Sequence, residues 1–161
     1  IRQAMPDCAI TTDIIAGFCG ETEQDHQDTL DIMRRVKYDY AYMFQYSERP
    51  GTLAARKYPD DIEPQEKTRR LNEIIALQNE LSLESNKKDV GKVLTVLVEG
   101  TSKRSDKELC GRASNNKMCV FPAELAEASE PTTPGRYHVG DYVKVEVLSC
   151  TSATLICKIA E

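Results

Sequence analysis

Residues 9–25 are AITTDIIAGFCGETEQD, a strand-to-helix passage that sets the architecture of the first half. The apolar run Ile14-Ile15-Ala16 stops at Gly17-Phe18-Cys19-Gly20, and acidic residues then lead into a helical pattern. Glycines there permit a close approach to the backbone. Cys8–Ala16 reads as a strand, near-continuously apolar at its end, as in a parallel sheet buried on both faces. Thr22 is a candidate N-cap, and Glu23 and Asp25 suit the positive end of a helix dipole. Asp25, at the third helical position, makes a weak capping box. His26, Leu30 and Met33 share one helix face, so His26 reads as a packing residue, and the helix should end near Lys37.

Tyr38–Tyr46 is aromatic-rich and reads as a second strand. Arg49-Pro50-Gly51 breaks it, and a loop is expected through KYPDDIEP. Pro64 suits the first turn of a long helix that repeats Leu71, Ile74, Ile75 and Leu81. Strand, helix, strand, helix implies a parallel sheet with right-handed crossovers. Two such units are too few for a (β/α) barrel, which needs roughly 200 residues. Residues 1–86 are therefore read as the tail of a larger α/β barrel, and the chain as a piece of a longer protein. Its start without Met, a few residues before a strand, fits that expectation.

After Asn86–Gly91 the pattern changes to short strands. Val93–Glu99 is one, Leu109–Ala113 and Lys117–Phe121 form a hairpin across Ser114–Asn116, and DYVKVEV alternates Val143, Val145 and Val147 with polar residues. Leu155, Cys157 and Ile159 alternate with Ile156 and Lys158. Five short strands in residues 87–161 predict a small closed antiparallel β-barrel. The segment between the fourth and third of these, AELAEASEPTTPGRYHVG, is a polar loop with one helical turn at Ala123–Ala128.

The 161 residues are 40% apolar and 29% charged, with a net charge of −5, so the chain should fold. Residues 1–86 carry 10 Lys/Arg against 16 Asp/Glu, and residues 87–161 carry 11 against 10. Neither half has the strongly basic balance of a high-affinity nucleic-acid domain, so any such contact is a local patch. No run approaches the roughly 20 apolar residues of a membrane span, and no secretory leader is present. The six cysteines include no C-x-x-C pair, which argues against a zinc or iron–sulfur site built within the chain and for reduced thiols in a cytoplasmic protein.

The Gly17–Gly20 loop lies at the C-terminal end of a parallel strand, where α/β barrels place ligands, and the helix start offers N–H groups. It is not a phosphate-binding P-loop, and a simple tight turn is as good a reading. Arg49, after the second strand, falls on the same face, with a structural ion pair as the alternative. Asp13 needs a partner or a polar cavity, since a buried carboxylate costs several kcal/mol unpaired. Cys19 has no neighbouring base to activate it as a nucleophile. In the second half, a base could stack on Phe121 while Lys117 and Arg112 take phosphates, with Lys103 and Arg104 adding charge in the preceding loop. By spacing alone, a barrel-end Phe with solvated lysines is the more economical reading.

ITTDIIAGFCGETEQDHQDTL, YAYMFQYSERPGTLAA and RLNEIIALQNELSLESNKKDVGK, in that order, resemble the C-terminal portion of radical S-adenosylmethionine methylthiotransferases. Within that family the blocks are most similar to enzymes acting on isopentenyl-adenosine beside the tRNA anticodon. VLVEG, CGRASNNKMCVFP and GDYVKVEV resemble the TRAM domain, a small RNA-binding barrel. The resemblance implies a transferase using S-adenosylmethionine and two 4Fe-4S clusters. It places Asp13, Gly17, Phe18 and Gly20, with Tyr46 and Arg49, beside the S-adenosylmethionine adenosine. It also implies that the TRAM part (Lys103, Arg104, Arg112, Lys117, Phe121) holds the anticodon stem-loop. The family usually has Pro at the position of Cys19 and often Phe at that of His26. Neither cysteine triad that holds the family's clusters occurs here, so this piece carries no catalytic residue or metal ligand and is expected to be inactive alone. A monomer is expected. Two alternatives are a stand-alone RNA-binding module and a sister methylthiotransferase acting on a ribosomal protein or another modified adenosine.

Overall fold

The computed structural model describes residues 1–123 and 137–160. The chain divides into two compact units, Ala9–Ser82 and Ile1–Cys8 with Leu83–Glu161.

In the first unit, β1 (Thr11–Ala16) pairs in parallel with β2 (Tyr40–Gln45), in register from Thr11↔Tyr40 to Ala16↔Gln45. Between them α1 (Glu23–Val36) starts at Thr22, whose hydroxyl accepts from the Asp25 amide while the Asp25 carboxylate accepts from the Thr22 amide. Lys37 ends the helix in the left-handed conformation (φ 53°) and donates to Met33 O. A short helix, α2 (Leu53–Lys57), capped by Thr52, occupies part of the expected loop. It has no buried residue, so no apolar period marks it in the sequence. The long helix α3 (Pro64–Lys87) follows. Ala16, Leu30, Met33, Ile74 and Leu81 form the core, joined by Ile14, Met43, Leu71 and Leu77. Fully buried side chains such as Met33 and Ile74 contribute about 1.5–3 kcal/mol each by leaving water.

The expectation that β1 is buried on both faces is corrected. Ile14, Ala16, Ala41 and Met43 face the core, whereas the alternate residues point away from it. Ile15 is 55% exposed, Tyr42 54% and Phe44 53%. Asp13 sits on this open face opposite Tyr42, so it is an exposed carboxylate and not a buried one needing a partner.

The second unit is a barrel of β3 (Val93–Ser102), β4 (Ser105–Ala113), β5 (Met118–Pro122), β6 (Tyr142–Cys150) and β7 (Leu155–Ile159). The ring closes in the order β3-β4-β5-β7-β6. The expected antiparallel barrel is corrected to a mixed one, because β5 pairs with β7 in parallel (Cys119↔Leu155, Val120↔Ile156). The reason is topological. Strand direction cannot alternate at every seam of a closed ring with an odd number of strands. Val96, Val98, Cys119, Phe121, Val143, Val145, Val147, Leu155 and Cys157 fill the interior. β3 shifts register between Val98 and Gly100, and Gly111 of β4 lies against it so closely that a methyl there would collide with Leu97 O. The helical turn expected beyond Ala123 lies outside the described residues.

Candidate functional site

At the C-terminal end of β1, Gly17 and Gly20 both take left-handed φ values, 75° and 77°. Their amides are already engaged. Gly17 N donates to Glu21 Oε2 at 2.9 Å, and Gly20 N donates to Asp61 Oδ1 at 2.8 Å. The group that comes close to the Gly17 backbone belongs to the chain itself: a methyl there would collide with the aliphatic stem of Lys67 on α3. The Lys67 ammonium reaches Asp60 and lies 5.2 Å from the Tyr46 ring centroid.

The loop is fastened by a chain of ion pairs along α3. Buried Arg70 donates from Nη1 to the Glu21 carbonyl at 2.8 Å and to Glu21 Oε1 at 2.9 Å, and from Nε to Glu66. Arg69 joins Glu66, Glu73 and Glu23. Hydrogen bonds, first from Arg69 and then from Arg70, hold the Glu66 carboxyl down at about 2. Glu73 is also lowered, chiefly by His26, whose Nε2 lies 2.7 Å away. Lys67, Arg70, Gln78 and Ser82 are buried on α3, and apolar spacing does not reveal them. With Ile74 they recur every three or four residues, and that period is the signal that could have found them.

Phe18 is 41% exposed, and its ring meets Tyr46 edge-on at 5.0 Å and Tyr58 at 6.3 Å. The Tyr46 hydroxyl is shut from solvent and makes no hydrogen bond of normal geometry. Its neighbour Cys19, together with burial, pushes the phenol up to about 12. The backbone ties this corner together, since Tyr46 N donates to Ala16 O at 2.8 Å. The structure therefore gathers Gly17, Phe18 and Tyr46. Gly20 is held by Asp61, and Arg49 is exposed with no ion pair among the described residues.

On the barrel the expected nucleic-acid residues separate. Phe121 is only 1% exposed and points into the core with Cys119, so it offers no face to a base. The face chosen from strand spacing is the barrel interior. Lys117 is also largely buried. Its ammonium donates to Asp89 Oδ2 at 2.7 Å and to Ser85 Oγ at 2.9 Å. Lys103 and Arg104 are exposed at the β3–β4 turn. Arg112 lies eight residues along β4 from Arg104, about 26 Å at ~3.3 Å per residue. It donates to Asn116 O and faces Glu99 at 3.5 Å.

Residues 87–159 match the model of the TRAM domain. That segment and the residues before it together are similar to the C-terminal part of curated proteins named tRNA-2-methylthio-N(6)-dimethylallyladenosine synthase. The relative from Phocaeicola vulgatus is 50% identical over 155 residues, 96% of this chain and 32% of its own. That from Amoebophilus asiaticus is 54% identical over 153 residues, covering 95% and 29%. That from Porphyromonas gingivalis is 47% identical over 161 residues, covering 100% and 32%. The chain thus spans about a third of the length of these relatives.

Among the described residues no three His, Cys, Asp or Glu side chains are arranged to hold a metal ion, so these residues do not fit an iron–sulfur cluster. The corner at Phe18 and Tyr46 presents the exposed Phe18 ring beside a phenol hydroxyl closed off from solvent. No helix among the described residues is long and apolar enough to cross a membrane.

Proposed function

We propose that this chain is the C-terminal part of an enzyme that methylthiolates isopentenyl-adenosine beside the tRNA anticodon, using S-adenosylmethionine and two 4Fe-4S clusters. In this reading residues 1–86 supply the last two strand–helix units of a radical S-adenosylmethionine barrel. Phe18 and Tyr46, with Gly17, Gly20, Asp13 and Arg49 around them, line one wall of the cofactor pocket. The TRAM domain, residues 87–161, grips the anticodon stem-loop of the tRNA, and Lys103, Arg104 and Arg112 meet its phosphates. The whole enzyme is a cytoplasmic monomer whose cluster ligands lie elsewhere in the longer protein.

The observation that carries this reading is the one-sided sheet of the first unit. Parallel strands are ordinarily covered on both faces. Here one face carries the helices and the other exposes Ile15, Tyr40, Tyr42 and Phe44, as strands lining a barrel would when their neighbours are outside the chain. The similarity to a third of the relatives' length supports the same conclusion.

The test is the parent reading frame. It should hold a C-x-x-x-C-x-x-C motif roughly 130–200 residues upstream, the span of the missing strands. The reconstituted parent should methylthiolate isopentenyl-adenosine in tRNA, read by nucleoside mass spectrometry, while this chain alone should not. A parent without the motif, or one that modifies a ribosomal protein instead, overturns the assignment.

A further inference from the structure

With Phe121 inside the barrel, the aromatic side chain best placed to meet a base is a different one. Tyr142, the first residue of β6, is 72% exposed. It stands opposite Leu97 of β3, Leu97 stands opposite Arg112 of β4, and Arg112 opposite Met118 of β5. These four side chains form one row across four strands on the outer surface. Their neighbours Val143, Val96, Ala113 and Cys119 all point inward. Directly opposed residues in an antiparallel pair lie about 5 Å apart, so the row runs without a gap from ring to guanidinium. Lys144 is two residues beyond Tyr142 on the same face, exposed and opposite Thr95. The nearby acids are engaged: Glu99 lies by Arg112 at 3.5 Å, and Glu146 accepts from Lys158 at 2.9 Å.

We propose that this row is the nucleotide-binding surface of the TRAM domain. An unpaired base stacks on the Tyr142 ring, Leu97 floors the site, and Lys144 and Arg112 flank it to take phosphates. The chemistry selects the ligand. An exposed aromatic between two cations suits single-stranded nucleic acid, since every base has a π-face and every linkage an anion. Duplex RNA keeps its bases stacked and would leave the ring unused. This inference rests on the RNA-binding reading above.

The sequence contains no Trp, so Tyr142→Trp installs a single reporter in the 161-residue chain. The probes are an RNA hairpin with a seven-nucleotide loop and the same stem closed as a duplex. The hairpin should quench the Trp emission and the duplex should not. In anisotropy titrations at low salt, Tyr142→Ala should weaken hairpin binding about tenfold and Tyr142→Phe should retain it. Unchanged far-UV dichroism and melting would show that Tyr142→Ala is folded, as its exposure leads one to expect. If the hairpin binds the parent chain and Tyr142→Ala equally and the Trp emission stays constant, this surface is wrong while RNA binding stands. A Trp emission already blue-shifted and indifferent to RNA would instead mark a protein-covered face and also overturn the proposal. If the hairpin does not bind the parent chain at all, the RNA reading itself fails.

Discussion

Lys117 Nζ stands 2.7 Å from Asp89 Oδ2, and the two side chains are 12% and 7% exposed. The same ammonium donates to Ser85 O and Oγ, while Asn86 Nδ2 donates to the carbonyls of Thr151 and Ser152. The last turn of α3 is therefore built into the unit of the β3–β7 barrel, which begins at Leu83, four residues before the TRAM match starts at 87. Burial pushes the Asp89 carboxyl up, but Lys117 and Lys92 more than offset this and hold it below the ordinary range.

Lys117→Met should accordingly act on folding and not on RNA phosphates. Removing one partner of a buried pair leaves an uncompensated charge and costs about 3 kcal/mol. Urea unfolding of the barrel should show that loss, and Lys117→Met/Asp89→Asn together should recover part of it. A fully stable Lys117→Met chain with weakened RNA binding would restore Lys117 as a contact.

Phe121→Leu should destabilise the barrel yet leave RNA affinity unchanged under conditions where the variant is folded. The ring is interior, and Phe121→Ala would cost about 3–5 kcal/mol through lost burial and a cavity. Parallel anisotropy and urea titrations separate the two effects. A selective loss of RNA binding would contradict the interior placement.

Gly17→Ala and Gly20→Ala test the loop. Both residues have positive φ, but only at Gly17 would the new methyl meet an atom, the packed Lys67 stem. Gly20→Ala should cost about 1 kcal/mol from backbone strain alone, and Gly17→Ala clearly more, up to ~3 kcal/mol. Equal losses in chemical denaturation would show that the Lys67 approach is unimportant.

Acid should loosen the first unit in a defined window. Glu66 is depressed from an ordinary 4.5 to about 2, first by Arg69. A carboxylate lowered in the folded state stabilises it above the unfolded pKa, and that contribution fades as pH falls towards the folded value. Thermal unfolding by circular dichroism should therefore drop progressively between pH 4.5 and 2. Glu66→Gln should melt lower at pH 7 and show a shallower fall across that window.

The short pattern of every element but α2 was legible in the sequence because it is local chemistry. Thr22 caps α1, Pro64 opens α3, and the alternating valines of β6 face inward, each as residue type and period require. What faced those elements was not legible. Alternation shows that Cys119 and Phe121 share a side with each other, but not which side the barrel encloses. The buried cations of α3 also escaped apolar counting, because Lys67 and Arg70 are buried by virtue of partners 7 and 49 residues away.

Residue pattern alone set the order of the elements other than α2, the parallel pair in the first unit, and the likeness of residues 87–159 to the TRAM model. Three-dimensional packing set the approach of Lys67 to the glycine loop, the burial of Phe121 and the exposure of Tyr142 on β6. The physical reason is that period and propensity are properties of neighbours along the chain. Burial is settled by ring closure among strands whose directions must reconcile, which here forces one parallel seam between β5 and β7.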